Sequence, residues 1–351
     1  MNIRTVRRAW FLGLAAMALV ASLVAGPAHA ADSPSASLVG RTLNVNGSGG
    51  PDDIVLSVAA ADPNTLLLDF DNDGTIDQSL DRATFDAIAV SLGGGDDHFS
   101  ANGVPGPQTS RIDGRGGDDT IVGTAGDDVI TGGRGSDHIV AGPGNDVILG
   151  GGGRDFVAGG LGHDTAFLGG GADVFQWDPG EGSDDVDGGG GPDTLLFDGS
   201  AGGEIMSLSA VGTRAVFLRQ PGNVVMNLDD VEILDLHAFG GADLVTVNDM
   251  TGTDVRQADI DLSAAGNRGA GDLLADLVTV NGTGKADVVH VAAQGTQVDV
   301  SGLVTETHMT GTDPALDQLQ VNTLEGNDTV TVDPSATALI GVTTDLGPGQ
   351  I

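Results

Sequence analysis

The chain has 351 residues, of which 58 are glycine, 3% are aromatic and none is cysteine or tyrosine. Glycine loses more conformational entropy on folding than any other residue, so this composition excludes an ordinary globular core built from large apolar side chains. With 50 acidic and 14 basic residues, the net charge is −36, which excludes nucleic acid and anionic membrane surfaces as expected partners.

The first thirty residues, 1–30, have the pattern of an export signal. Three arginines precede an apolar run, and Ala28-His29-Ala30 supplies a small-residue cleavage site. We expect cleavage after Ala30, which would leave no transmembrane anchor, whereas a retained anchor is the alternative. The Arg7-Arg8 pair leaves open a twin-arginine route, although general secretory export is the expectation. Cleavage removes three arginines and no acid, so the net charge would move from −36 to −39.

Residues 31–113 are predicted to form an N-terminal β-rich region. Alternating stretches such as TLNVNG and AIAVSL are typical of strands. Two single glycine–aspartate turns lie among them, GSGGPDDIV (47–55) with Asp52 and LGGGDDHFS (92–100) with Asp97. Because a lone turn has no equivalent turn two blocks away in the sequence, we expect these aspartates to bind a cation weakly or not at all.

An acidic stretch within this region, DFDNDGTID (69–77), matches the first nine places of an EF-hand loop. The twelfth place is Leu80, where such a loop needs a bidentate glutamate, and the sequence predicts no flanking helices. Two interpretations stay open, a calcium loop and an acidic hairpin turn, and the hairpin turn is favoured.

Residues 114–196 consist of a nine-residue repeat, interrupted once by Trp177-Asp178. The fourth place is always glycine, the sixth aspartate and the eighth apolar. The nine blocks are GRGGDDTIV, GTAGDDVIT, GGRGSDHIV, AGPGNDVIL, GGGGRDFVA, GGLGHDTAF, LGGGADVFQ, PGEGSDDVD and GGGGPDTLL. The sixth places are Asp119, Asp128, Asp137, Asp146, Asp155, Asp164, Asp173, Asp184 and Asp193.

Each block predicts a glycine-rich tight turn followed by a minimal strand with one inward side chain. Stacked blocks would form a parallel β-solenoid, with the aspartates in rows. One buried aliphatic side chain per nine residues offsets too little of the backbone entropy, and rows of carboxylates repel each other. A hard cation would remove the repulsion, and calcium fits such turns better than magnesium because its oxygen shell is flexible.

The blocks resemble the G-G-x-G-x-D-x-U-x nonapeptide of RTX (repeats-in-toxin, or hemolysin-type calcium-binding repeat) proteins. The resemblance implies a β-roll in which two blocks make one coil and several calcium ions lie between turns two blocks apart. It implies that sixth-place aspartates and backbone carbonyls are the ligands. Carried over to this chain, Asp119, Asp137, Asp155 and Asp173 would form the first row, and Asp128, Asp146 and Asp164 the second.

The array departs from the RTX pattern at a few places. Trp177-Asp178 is predicted to shift Asp184 and Asp193 out of phase, which makes these two weaker ligand candidates. The first or second glycine is replaced in five blocks, for example by Arg115, and we expect less regular backbone geometry there. The periodic aliphatics argue against a flexible acidic linker when calcium is bound, although such a linker could describe the calcium-free state.

Residues 197–351 are predicted to form a C-terminal β-rich, solenoid-like region. The segment ADLVTVN occurs twice, at 242–248 and 275–281, and Gly326-Asn327-Asp328 also leads into a Val-Thr-Val strand. As in the N-terminal region, these isolated turns are expected to bind calcium weakly or not at all. The expected fold of the whole chain is therefore all-β, a parallel β-roll or β-solenoid with β-rich flanks.

The sequence favours a binding or structural role over catalysis. No H-E-x-x-H, G-x-S-x-G or G-x-x-x-x-G-K motif occurs. We expect an exported calcium-binding protein, secreted or held in the periplasm or cell envelope, with cell-surface or extracellular polysaccharide or protein as candidate partners. The alternative is a polysaccharide lyase or epimerase on a parallel β-helix. A cluster of acid, histidine and arginine in one cleft of 200–345 would favour that alternative.

Overall fold

The computed structural model describes residues 33–106, 109–266 and 269–348, so the predicted export signal lies outside the described residues. Within these ranges, short strands account for nearly all regular structure, and the helical parts are two 3₁₀ turns, Arg82–Thr84 and Ala336–Ala338. The strands in chain order are β1 (Ser35–Val39), β2 (Thr42–Asn46), β3 (Asp53–Ala59), β4 (Asp62–Asp69), β5 (Gln78–Asp81), β6 (Ala87–Gly94), β7 (His98–Ser100), β8 (Thr109–Gly116), β9 (Thr120–Val122), β10 (Asp128–Arg134), β11 (His138–Val140), β12 (Val147–Gly152), β13 (Phe156–Ala158), β14 (Thr165–Gly170), β15 (Val174–Trp177), β16 (Asp185–Gly190), β17 (Thr194–Asp198), β18 (Ile205–Val211), β19 (Arg214–Gln220), β20 (Val224–Asp229), β21 (Ile233–Phe239), β22 (Leu244–Val247), β23 (Gln257–Ala264), β24 (Leu277–Asn281), β25 (Val288–Gln294), β26 (Gln297–Ser301), β27 (Glu306–Thr310), β28 (Gln318–Asn322), β29 (Thr329–Val332) and β30 (Gly341–Asp345).

The described strands form two sheets of fifteen strands each. The first sheet has the order β1-β2-β6-β8-β10-β12-β14-β16-β20-β19-β18-β22-β24-β28-β30. The second has the order β29-β25-β26-β27-β23-β21-β17-β15-β13-β11-β9-β7-β3-β4-β5. Both sheets run through the N-terminal region, the repeat array and the C-terminal region.

Within the array, alternate blocks contribute strands to opposite sheets. Ile130 of β10 pairs with Ile148 of β12 in the first sheet, and Ile139 of β11 pairs with Val157 of β13 in the second, all in parallel register. Two blocks therefore make one coil, as the resemblance implied.

Within the array, the core between the sheets is formed by the eighth-place side chains of both sheets. Because successive strand residues point to opposite faces, the eighth-place residue of each strand faces inward. All nine of these side chains are at most 2% exposed: Ile121, Ile130, Ile139, Ile148, Val157, Ala166, Phe175, Val186 and Leu195. The period-two pattern of each short strand is thus sufficient to define the core.

Outside the array the coils are longer because hairpins are inserted into them. The strands β3, β4 and β5 form one antiparallel excursion, β18, β19 and β20 a second, and β25, β26 and β27 a third. Between these excursions the parallel pairing continues, for example β22 with β24 and β24 with β28. The prediction of an all-β parallel roll with β-rich flanks is confirmed. Among the described residues, no helix has the length and apolarity required to cross a bilayer.

Candidate metal centre

The turns of the array depend on glycine at the fourth place. Gly135 and Gly153 have φ values of +118° and +147°, in the left-handed region that favours glycine. A β-carbon on Gly153 would also collide with the carbonyl oxygen of Gly135 in the preceding coil. At the second place Arg115 adopts φ +74°, on the same side as Gly133 at +121°. The expected irregularity at Arg115 is therefore small, since the turn keeps its left-handed residue.

The sixth-place aspartates form ladders in which each aspartate is one rung. The amide nitrogen of one rung donates a hydrogen bond to Oδ1 of the rung in the next coil. In the first row Asp119 donates to Asp137 at 2.9 Å, and Asp137 donates to Asp155 at 2.9 Å. In the second row Asp128 donates to Asp146 at 2.8 Å. Stacking thus brings the predicted site residues together in the two rows that the resemblance implied.

Asp184 and Asp193 continue these rows, which corrects the expectation that they fall out of phase. Asp164 donates to Asp184 at 2.8 Å and Asp173 donates to Asp193 at 2.9 Å, across 20 residues instead of 18. The two extra residues are absorbed before the next turn, where the buried Trp177 donates from Nε1 to the Gly182 carbonyl at 2.8 Å.

The second carboxylate oxygen of the interior rungs has a different environment from the first. It is shielded from solvent and has no hydrogen-bond partner. An ionised oxygen buried in this way is costly unless a cation or proton compensates it. The rungs with such an Oδ2 are Asp97, Asp119, Asp137, Asp146, Asp155, Asp164, Asp173, Asp184, Asp193 and Asp243.

Asp128 differs from the other predicted ligands. Its Oδ2 accepts from the Thr124 amide at 2.7 Å and its Oδ1 from the Thr124 hydroxyl at 2.9 Å. Both oxygens are already bonded within the turn, because no aspartate rung precedes Asp128 in its row. Asp128 therefore starts the second row and has less capacity for a metal ion than Asp146.

Burial raises the pKa of the array carboxyls, and neighbouring aspartates raise it further. The pKa rises to about 6 for Asp155, about 7 for Asp137 and about 8 for Asp146, even though a backbone hydrogen bond lowers each in part. The neighbours responsible include Asp173 for Asp155 and Asp164 for Asp146. Without a cation, the folded array therefore favours the protonated form of these carboxyls.

The oxygens around each turn fit calcium. Asp155 Oδ2 and the Leu168 carbonyl oxygen both approach the position that a β-carbon on Gly150 would occupy, at 2.7 and 2.5 Å. Calcium accepts carboxylate and carbonyl oxygens in a flexible shell. No cluster of three or more histidine, aspartate or glutamate side chains in the described ranges could hold an ion alone. Backbone carbonyls would therefore complete each shell, and the ion would neutralise the buried carboxylates.

The flanking turns are not isolated in space, contrary to the expectation from sequence spacing. Asp52 donates to Asp97 at 2.8 Å and Asp97 donates to Asp119 at 2.9 Å, so the first row begins in the N-terminal region. At the other end of this row, the Asp193 amide donates to Glu232 Oε2 at 2.8 Å. Sequence reasoning missed Glu232 because a hairpin separates it from the array by 39 residues.

A short pattern marks the first rung of each row in the described chain. Glycine is followed by serine or threonine, and an acid comes four residues after the hydroxyl residue. The hydroxyl and its own backbone amide both donate to that acid. The four pairs are Ser48 with Asp52, Thr124 with Asp128, Ser200 with Glu204, and Thr283 with Asp287. This pattern was available in the sequence as a signal for where rows begin.

The acidic stretch 69–77 connects β4 and β5, which pair antiparallel, so its setting is a hairpin turn. Its carboxylates bond the loop's own amides: Asp69 Oδ2 accepts from Gly74 at 2.9 Å and Asp77 Oδ2 from Phe70 at 2.9 Å. The favoured interpretation of this stretch agrees with that geometry.

Two parallel sheets of stacked short strands, joined by turns whose buried aspartates form ladders, define a β-roll. The sequence profile described as "RTX calcium-binding nonapeptide repeat (4 copies)" matches residues 113–148, 140–175 and 180–195. Residues 113–175 and 180–195 of the chain therefore contain hemolysin-type RTX calcium-binding repeats.

Comparisons with whole proteins add little to this assignment. No curated protein matches the chain. Among solved structures, the extracellular lipase LipA from Serratia marcescens aligns with 13% identity and a TM-score of 0.13. The alignment covers 58% of this chain and 38% of the lipase, so less than half of the lipase is spanned.

Proposed function

We propose that this is an exported protein whose repeat array folds when calcium ions bind between stacked turns. The observation that supports the proposal is the set of buried, unpartnered Oδ2 atoms, which alternate in two rows along the array. Because calcium would bind the stacked turns and not the unfolded chain, its binding free energy would add to folding. We expect modest affinity, with a Kd of about 10⁻⁴–10⁻³ M, as for extracellular calcium modules.

Such a Kd makes folding depend on the compartment. Where free calcium is scarce, the acidic turns repel and the chain stays open, whereas calcium outside the cell would close the roll. The arginine-rich, apolar N-terminal pattern at residues 1–30 supports export, and we propose a secreted, periplasmic or envelope location. In this proposal the protein has a structural role or interacts with a surface, and its partner is a polysaccharide or another protein.

A calcium titration followed by far-ultraviolet circular dichroism tests the proposal, with magnesium as the ion control. We expect a calcium-specific gain of β-signal that is lost in Asp137→Asn/Asp155→Asn. The matched control is Asp118→Asn/Asp127→Asn, which removes the same charge from exposed fifth places and keeps their Oδ1 acceptors. A β-spectrum that is already complete in chelator would contradict folding on calcium.

A polysaccharide-active enzyme is the second candidate, because aspartate–histidine pairs lie on one face of the second sheet. His237 Nδ1 is 2.7 Å from Asp198 Oδ1, and His308 Nδ1 is 2.7 Å from Asp299 Oδ1. We infer that these pairs stabilise neighbouring strands and are not catalytic. Incubation with neutral and acidic polysaccharides tests this: we expect no product, whereas chain shortening or unsaturated ends that vanish in His308→Gln would favour the enzyme.

A further inference from the structure

The C-terminal coils repeat the bonding of the array without its nonapeptide sequence. The amide of Glu204 donates to Asp243 Oδ1 at 2.7 Å, that of Asp243 to Asp276 Oδ1 at 2.8 Å, and that of Asp276 to Asp317 Oδ1 at 3.0 Å. The separations are 39, 33 and 41 residues. Inserted hairpins and loops therefore hide this row from any search for a nine-residue period, and the matched repeats end at residue 195.

Both ends of this third row are closed by other groups. At its start, Glu204 accepts from the Ser200 hydroxyl at 2.9 Å and from Arg219 Nε at 2.7 Å. At its end, Asp317 Oδ2 accepts from the Asp313 amide at 2.6 Å. Within this row, the buried carboxylate oxygen that lacks a hydrogen-bond partner therefore lies in the interior.

That interior holds a buried oxygen with no partner. Asp243 is 0% exposed and its Oδ2 makes no hydrogen bond, as in the rungs of the array. In the adjoining turn, Asp272 Oδ2 accepts from the Gly241 amide at 2.9 Å, which places a second carboxylate beside that of Asp243. Asp276, 3% exposed, is the third carboxylate of the group.

The backbone of the turn 238–243 also matches that of the array turns. Phe239 stands at the second place, where the array has glycine, and adopts φ +61°. A left-handed conformation is strained for an aromatic residue and persists only where the surrounding structure fixes it. The turn 238–243 thus keeps the array geometry despite a sequence that does not favour it.

We propose that the turns 238–243 and 271–276 bind a hard divalent cation, with calcium preferred, through Asp243 Oδ2 and turn carbonyls, with Asp272 and Asp276 as the neighbouring carboxylates. The ligand class follows from a donor set made only of oxygens, two of its carboxylates almost fully buried. The inference rests on the proposed function in that it assumes the same ion and the same ladder. It adds an ion-binding site to coils that the repeat profile does not cover.

Calcium stoichiometry by isothermal titration calorimetry and equilibrium dialysis tests this site. Asp243→Asn keeps the Oδ1 acceptor of the ladder and removes only the charge and the free oxygen. We expect it to bind one calcium ion fewer than the unmodified protein, whereas Asp249→Asn, an Asp outside the turns whose Oδ1 accepts from Thr251, should bind the full number. Asp137→Asn, which affects the array, should leave the Asp243 ion in place.

A second measurement needs no variant. Hydrogen exchange of the unmodified protein should show calcium-specific slowing at the amides of β22 and β24, which follow the two turns, with no such slowing in magnesium. Unchanged stoichiometry in Asp243→Asn, or no calcium-dependent protection of β22 and β24, would overturn the inference and leave the array proposal standing. Failure of the unmodified protein to bind calcium at all would overturn both.

Discussion

At the scale of single residues, each interior aspartate divides its two oxygens between two tasks. Oδ1 accepts a hydrogen bond from the amide of the preceding rung and holds the coils in register, while Oδ2 is buried without a hydrogen-bond partner and would bind the proposed cation. Asparagine could perform the first task but not the second, since its amide group carries no charge. This division explains why the repeat specifies aspartate at the sixth place.

The first prediction concerns pH. The pKa of Asp137 and Asp146 is raised to about 7 and about 8 in the folded chain, against about 3.9 for an unfolded aspartate. Folding without calcium is therefore favoured by protonation: this contribution is complete below about pH 4 and is lost progressively as pH rises from about 4 to about 8. Calcium needs the ionised form, so its affinity should increase over the same window.

Far-ultraviolet circular dichroism in chelator and calcium titrations, each at pH 5 and 8, check this prediction. We expect the chelated protein to have more β-structure at pH 5 and the calcium affinity to be higher at pH 8. A chelated protein with more β-structure at pH 8 would contradict the proposed protonation of the rows.

The second prediction compares two adjacent glycines. Gly153→Ala combines a φ of +147° with a collision against the coil before it, and should destabilise the calcium-bound fold by at least roughly 1–3 kcal/mol. Gly152→Ala meets no atom within 4 Å and should change the free energy of unfolding by less than about 0.5 kcal/mol. Denaturant unfolding in excess calcium measures both, and equal effects would show that the fourth-place glycine is not required.

At the scale of strands and turns, the sequence was sufficient to predict the fold wherever the coil length is constant. The inward eighth place follows from the period alone. The eighteen-residue coil and both aspartate rows follow from the period together with the resemblance to RTX repeats. The flanks could not be assembled in this way, because hairpins and loops lengthen their coils to 33, 39 or 41 residues and the partner of Asp243 is far away in sequence. The wrong expectation that Asp184 falls out of phase had the same origin. It relied on the spacing of residues in the sequence, whereas the stacking of the coils determines where Asp184 lies.

The third prediction concerns the start of a row. Thr124→Val keeps the shape of the side chain but removes the hydroxyl that donates to Asp128 Oδ1. Leaving this buried acceptor unsatisfied should destabilise the fold by about 1–3 kcal/mol. Thr124→Ser keeps the donor and should lose less stability, and thermal unfolding in excess calcium distinguishes the two variants. A larger loss in Thr124→Ser would show that the methyl group, and not the hydroxyl, is important.

At the scale of the whole molecule, each coil contacts mainly its neighbours, so the described chain behaves as a one-dimensional stack. Both sheets run without a break from β1 to β30 and from β5 to β29, through regions with and without the repeat. The array and its flanks therefore share one continuous pairing scheme, in which the hairpin excursions are local additions.

The fourth prediction uses this architecture. Deleting residues 141–158 removes one coil of two blocks, so the strands on either side should rejoin in their own sheets and the protein should fold in calcium. Deleting only 150–158 moves every later strand to the opposite sheet, where the C-terminal hairpins would not pair. Circular dichroism and size-exclusion chromatography in calcium check both variants, and equal tolerance of the two deletions would argue against the alternating coil.

The ladder bonds all run the same way, from the amide of an earlier rung to the carboxylate of a later one. A row is therefore asymmetric: its beginning needs a special hydroxyl turn, whereas its last amide can be satisfied by an ordinary carbonyl, as Asp317 is by Asp313. Gene duplication that appends coils after an existing rung needs no new starting turn, but coils added in front of the first rung do. Lineages of such proteins should accordingly differ in length mainly by growth toward the C-terminus of each row.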